Sequence, residues 1–500
     1  MSPQTARLSA HAAAIAVPLL LAACAVGPDY RRPTLSASAG YGGDATSPGT
    51  PAAAAAGAPQ LMAGLDIPAQ WWRVFHSPDL DALVAQALKS NPTVDAAKAA
   101  LRSAREQVKA QRGAFYPSVT ASLQPSHQYF AGTLASPALS GDSIYDLTTT
   151  QVSVAYAPDL FGANARAVES LVAQQDQQRF ELEAARLTLA SNVVLAAIQD
   201  AVLREQIATT RAIIADQQQT LASFRRQHQL GQVSTSDLAA QEALLAQTQA
   251  ILPPLVKQFH VNRDLLSALV GRTPGEPLDV RFDLNALALP DRLPLSLPAQ
   301  LVEHRPDVRI AEAQLHAASA QVGVATAARW PSLQIDAGGG SAALGLTPEF
   351  TRAANFWNVA ATLTQPIFQG GALLHRQRVA EAAYDQAAAQ YRSTVVGAFQ
   401  NTADVLHALR TDADALGSAE SSAAASRRSL DIAQRQFDLG DVSRLAVLGA
   451  EQTEAQARLA LLQARANRYA DVVALFQALG GGWWNDGAPG EASAPAAPKR

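Results

Sequence analysis

The sequence predicts a mainly α-helical chain, duplicated internally as helix–strand–strand–helix, whose few strands belong to a membrane β-barrel completed by several copies. Its N-terminal half echoes its C-terminal half: Pro92 and Tyr116-Pro117-Ser118 recur as Pro306 and Trp330-Pro331-Ser332, 214 positions later. Four short stretches alternate apolar and polar residues with period two. Two proline-free stretches, Gly162 to Leu230 and Gly370 to Leu439, are each long enough for a helix of about 100 Å at ~1.5 Å per residue.

Further matches define the repeat. Pro158 and Gly162 align with Pro366 and Gly370 at an offset of 208, and Leu230-Gly231-x-Val233-Ser234 aligns with Leu439-Gly440-x-Val442-Ser443 at 209. The offset drops between Ser118 and Pro158, so that stretch should hold an exposed loop.

In chain order, residues 1–23 carry Arg7, His11 and an apolar run from Ala12 to Ala23, too short to span a bilayer; this reads as a secretory signal. Leu21-Ala22-Ala23-Cys24 resembles a bacterial lipobox, and Cys24 is the single cysteine, which favours lipidation over a buried free thiol. Val26 is not the aspartate of inner-membrane retention, so an outer-membrane address is expected. Residues 24–69 read as a tether of small residues with almost no charge, in which only Val26-Gly27-Pro28-Asp29-Tyr30 stands out.

A first repeat is expected over 70–271. Trp71, Trp72 and Phe75 should pin its start to the folded body, and Ser77-Pro78 should cap a helix carrying Leu80, Leu83, Val84, Ala87 and Leu88 on one face. A helix from Pro92 gives way at Pro117 to strands around 119–123 and 152–156. A Pro-rich connector, 272–303, leads to a second repeat over 304–482 with strands around 333–337 and 357–363. The loops are expected at about 125–150 and 338–355, and residues 483–500 read as a disordered tail beyond Trp483-Trp484. After each long helix, Gly231 and Gly440 should supply the left-handed C-cap, and Ser234 and Ser443 should cap the returning helices. Those run from Ser236 to about Val270, with a kink at Pro253-Pro254, and from Arg444 to Leu479.

Four strands in a bilayer cannot close, and an open edge would leave backbone groups unpaired in hydrocarbon. The chain must therefore oligomerise, as a dimer of eight strands, a trimer of twelve or a larger ring. A net charge of −4 and a pI near 6.2 give no footprint for nucleic acid. No metalloprotease, nucleophile-elbow or phosphate-loop motif occurs, and no paired-cysteine metal spacing. His304, His316, His375 and His407 read as helix-surface residues. No enzyme activity, cofactor or metal is expected.

Arg305-Pro306-Asp307-Val308-Arg309, the Cys24-to-Tyr30 start, Trp71-Trp72-x-x-Phe75 and the duplicated order resemble the outer-membrane efflux lipoproteins of the TolC/OprM-like superfamily, NodT type. The resemblance spans Cys24 to about Leu479. It implies a homotrimer with a 12-stranded outer-membrane β-barrel and a 12-helix periplasmic α-barrel. It also implies partnership with a periplasmic adaptor and an inner-membrane pump of RND type, contact with outer-membrane lipid, and passive export of small molecules such as drugs. By the same resemblance the helix tips at Leu230, Gly231, Val233, Ser234, Leu439, Gly440, Val442 and Ser443 dock the adaptor. Asp237 resembles a family aspartate that holds the periplasmic entrance closed. Where relatives place an acidic ring, this chain has Ala446 and Gly449, with Leu445 placed for an apolar gate and Asp441, Arg444 and Glu451 nearby. Two other readings stand beside this one: an outlet for type I protein secretion, and a lipid-tethered periplasmic coiled-coil binding protein without a pore.

Overall fold

The computed structural model of the chain describes residues 26–33, 60–129, 144–276, 278–290, 292–295, 303–344 and 352–485. The signal segment, Cys24, most of the expected tether and residues 486–500 lie outside the described residues. Seven α-helices of more than ten residues organise what is described: α1 Pro78–Ser90, α2 Pro92–Arg112, α3 Ala163–Gln229, α4 Thr235–Leu269, α5 Pro306–Ala327, α6 Ala372–Asp438 and α7 Arg444–Ala478. Helices α3 and α6 have 67 residues each, and α4 and α7 have 35 each, so the duplication keeps the lengths of these four helices to the residue. Helix α4 is one continuous element that includes Pro253 and Pro254.

The helix starts correct the repeat alignment. Gly162 and Gly371, at φ +77° and +81°, precede the two long helices, and their carbonyls accept from Arg166 N at 2.8 Å and His375 N at 3.0 Å. Gly371, not Gly370, is therefore the counterpart of Gly162. The offset is a constant 209 from there through the pairs Gly231/Gly440 and Gly271/Gly480, whose positive φ ends four helices.

Six strands are described: β1 Gln60–Ala63, β2 Ser118–Tyr129, β3 Ile144–Tyr156, β4 Arg292–Leu295, β5 Ser332–Leu344 and β6 Asn355–Thr364. Strands β1 and β4 pair in parallel, Leu61 opposite Leu293, so the end of the expected tether is held by the connector. Strands β2, β3, β5 and β6 form one antiparallel sheet in that order. They reach further than the period-two signal, and Gly338, Gly339 and Gly340 belong to β5, not to a loop. At Gly340 the reason is space: a Cβ there would collide with the Thr150 carbonyl oxygen of β3.

The chain divides into two compact units. One, residues 26–33, 101–178 and 311–391, contains the four-stranded sheet. In it the N-terminal segment is strapped down and not a free tether. Val26 N donates to Phe161 O at 3.2 Å. Arg166 reaches Asp29 at 3.0 Å and Glu169 at 2.7 Å. The Tyr30 ring stacks on His316 at 4.3 Å, and His316 Nε2 lies 2.9 Å from Glu169. Gly27 is required here, since a Cβ would stand 2.5 Å from Gly323 Cα. His316 is thus held between a ring and a carboxylate, contrary to its expected place on a helix surface.

The second unit, residues 60–100, 179–310 and 392–485, packs the aromatics that the sequence singled out. Trp71, 1% exposed, stacks on Phe476 at 5.3 Å, and Phe75 lies 6.1 Å from Tyr469. The Tyr469 hydroxyl donates to the carbonyls of Leu284 and Leu287. His304 stacks on Trp484 at 4.0 Å and its carbonyl accepts from Trp483 Nε1, so it too is packed and not merely a surface residue. Burial lowers the His304 pKa. Arg305 makes a two-pronged pair with Asp307 and donates to Ala478 O at 2.9 Å, which gives the Arg-Pro-Asp motif a structural task at the end of α7.

Candidate functional site

Two features of the fold, one in each unit, have the chemistry of a conduit. The first is the sheet. Its register aligns Val119, Val154, Ala337 and Val359 in one row and Ala121, Val152, Gly339 and Trp357 in the next on the same face. The opposite face carries Thr120, Ser153, Gly338 and Asn358 in one row and Ser122, Gln151, Gly340 and Phe356 in another. One face is apolar and exposed, with Val119 at 65%, Val359 at 68% and Trp357 at 81%; the other is mostly polar. Such a sheet suits lipid on one side and water on the other. Its outer strands, β2 and β6, have no strand beyond them among the described residues.

The second feature is the pair of helix tips. At the first, Gly231 N donates to His228 O and Gln232 N to Gln227 O; at the second, Gly440 N donates to Phe437 O and Asp441 N to Gln436 O. This is the Schellman arrangement, and glycine is needed at φ +76° and +82°. Leu230 and Leu439, 72% and 78% exposed, stand at the turns. Val233 lies two residues beyond Gly231, and its carbonyl is 2.9 Å from His228 Nδ1; Val442 occupies the matching place. Ser234 caps α4, its hydroxyl accepting from Asp237 N and donating to the Asp237 carboxylate at 2.7 Å. Ser443 is the N-cap of α7, as expected, with the same extended backbone, but its side chain makes no capping bond. Residue 446, three places on, is alanine, which has no side-chain group to answer the cap as Asp237 does.

The gate candidates separate. Asp237 is engaged with its own cap. Asp441, Leu445, Ala446 and Gly449 are exposed, and a Cβ on Gly449 would meet nothing within 4 Å. Arg444 is instead packed: its guanidinium lies 4.9 Å from the Phe437 ring centre and 5.1 Å from that of Phe224. It borders a cavity of about 570 Å³ lined also by Asp216, Gln217, Glu451 and Glu454. Burial pushes the Glu451 carboxyl above its ordinary pKa; Arg444 opposes that rise and Asp216 adds to it. Phe224 and Phe437 escaped the sequence reading, although each lies within a turn or two of a tip glycine. Among the described residues no group of three or more His, Cys, Asp or Glu side chains gathers as a metal site.

Residues 83–272 and 297–481 match the sequence profile of the family described as outer membrane efflux protein. The pyoverdine export outer membrane protein OpmQ of Pseudomonas aeruginosa is 29% identical over 421 residues, covering 83% of this chain and 88% of the relative. The toluene efflux pump outer membrane protein TtgF of Pseudomonas putida is 27% identical over 490 residues, covering 96% and 98%. Among solved structures, the outer-membrane channel OprN superposes with a TM-score of 0.83 at 27% identity, over 92% of this chain and 100% of that one. The CmeC channel of Campylobacter jejuni, at 21% identity and a TM-score of 0.81, shares the fold.

Proposed function

The chain belongs to the outer membrane efflux protein family, and from that premise we propose that it is the exit duct of a tripartite efflux system, of NodT type. It is not an enzyme. It conducts small molecules passively from an inner-membrane pump of RND type, through a periplasmic adaptor, to the exterior. Small molecules as cargo agree with the pyoverdine and toluene named for its relatives.

The observation that carries this reading is the four-stranded sheet, apolar on one face and, among the described residues, without a strand beyond either edge. Hydrocarbon does not tolerate free edges, and three copies supply twelve strands for a closed barrel. Helices α3, α4, α6 and α7 of each copy then supply the twelve-helix periplasmic barrel. Residues 70–271 and 304–482 act as the two repeats, and Cys24 carries the acyl chains that join the protein to the outer membrane. The tips at Leu230, Gly231, Val233 and Ser234 and at Leu439, Gly440, Val442 and Ser443 meet the adaptor. Asp237, Asp441, Arg444, Leu445, Ala446 and Gly449 surround the entrance.

The test is the native mass of the detergent-extracted protein with bound detergent subtracted. A mass of three chains is expected. A stable monomer would overturn the duct in favour of a tethered periplasmic binding protein.

A further inference from the structure

The internal duplication specifies more than the number of strands, because it carries a pairing register. Ser118 pairs with Ala155 in the first hairpin, and Ser332 with Thr364 in the second. The two hairpins therefore superpose when β2 is advanced by 214 residues onto β5 and β3 by 209 onto β6. The second figure is the offset found independently at Gly162/Gly371 and at the helix tips. Between the hairpins, β3 pairs with β5 within the chain, Val154 opposite Ala337 and Thr148 opposite Ala343.

The same relation has one unfilled instance. Strand β6 is the counterpart of β3, and β2 is the counterpart of β5, but within one chain they stand at opposite edges of the sheet. We infer that β6 of one copy pairs antiparallel with β2 of the next in the register inherited from β3 and β5, placing Leu363 opposite Leu123 and Trp357 opposite Tyr129. This rests on the oligomeric barrel proposed above and goes beyond it by fixing which residues meet.

Chemistry supports the transferred register. Leu123, Tyr129, Trp357 and Leu363 are 65%, 71%, 81% and 66% exposed in the single chain. All four belong to the apolar face, so the seam sets leucine against leucine and one ring against another, pairings that adjacent strands favour. Thr362 falls opposite Gln124 on the polar face. A slip of one residue would set the apolar face of one copy against the polar face of the next. A slip of two would keep the faces but separate Trp357 from Tyr129.

The register is tested by cysteine pairs in the full-length protein, extracted and oxidised, then run on a denaturing gel without reductant. Within one chain the two edges lie three strand spacings apart, about 14 Å, beyond the ~7 Å between Cα atoms that a disulfide spans. Any cross-link through these positions therefore joins copies. Leu123→Cys with Leu363→Cys should shift most chains into dimer and trimer bands, while either single variant stays monomeric. Thr362→Cys with Gln124→Cys should do the same without altering the apolar face, should the leucine variant fail to assemble. Cross-linking of Leu363→Cys through Ala121→Cys or Pro125→Cys instead would overturn the register and leave the trimer standing. No cross-link in any pair, with a native mass of three chains, would overturn the β6–β2 seam. A native mass of one chain would remove the barrel itself.

Discussion

The guanidinium of Arg444 sits 4.9 Å from the ring centre of Phe437, which ties the first turn of α7 to the last turn of α6 across the Gly440 reversal. A cation over an aromatic face is worth about 0.5–2 kcal/mol depending on how dry it is. Arg444→Ala should therefore loosen the second tip. The expected outcome is a higher open probability in planar bilayers with unchanged trimer mass. An unchanged current trace would remove Arg444 from the entrance.

The tip glycines offer a second test. Gly231 and Gly440 hold φ near +80°, whereas proline is confined near −65°. Gly231→Pro or Gly440→Pro should abolish efflux in a drug-susceptibility assay while the protein reaches the outer membrane in normal amounts. Normal efflux in both variants would count against docking at the turns.

Asp471 makes stability depend on pH. Burial, reinforced by Asp412, raises its pKa from 3.8 to about 6, against the opposing pull of Arg468. The folded form thus holds the proton more tightly than the unfolded form does. The stabilisation is full below about pH 4 and is lost as pH rises through about 6. Asp471→Asn, which keeps the shape but cannot ionise, should reduce the drop in melting temperature between pH 5 and pH 8. An unaltered drop would assign that pH dependence elsewhere.

Cys24→Ser should abolish incorporation of labelled palmitate. The protein should nonetheless stay in the outer-membrane fraction, because the proposed barrel would hold it there. Full release to the periplasm would contradict the barrel.

Much of the fold was legible because its signals are local. Period-two alternation marked all four strands of the sheet, and the absence of proline marked both long helices. Glycine at Gly231 and Gly440 announced the reversals, since few other residues adopt a left-handed conformation. What escaped depends on distant partners. Nothing near Gln60–Ala63 tells that they pair with Arg292–Leu295, more than two hundred residues away. Nothing near Asp29 tells that Arg166 waits for it, and His316 looked like a surface residue until Tyr30 was laid on it. Among the gate candidates Arg444 was named, but the two rings it packs against, Phe224 and Phe437, were not.

A protomer whose β6 edge complements its own β2 edge is a head-to-tail unit, and such units make rings only when successive rotations close on themselves; otherwise they grow as open chains. Copy number is then a property of curvature. Strand β5 carries three successive glycines, and at Gly340 the β3 backbone leaves no room for a Cβ, so no side chain spaces the two strands there. Residues of the sheet, not those of the entrance, would in that case do the counting, and a side chain added at Gly340 would disturb the curvature on which closure depends.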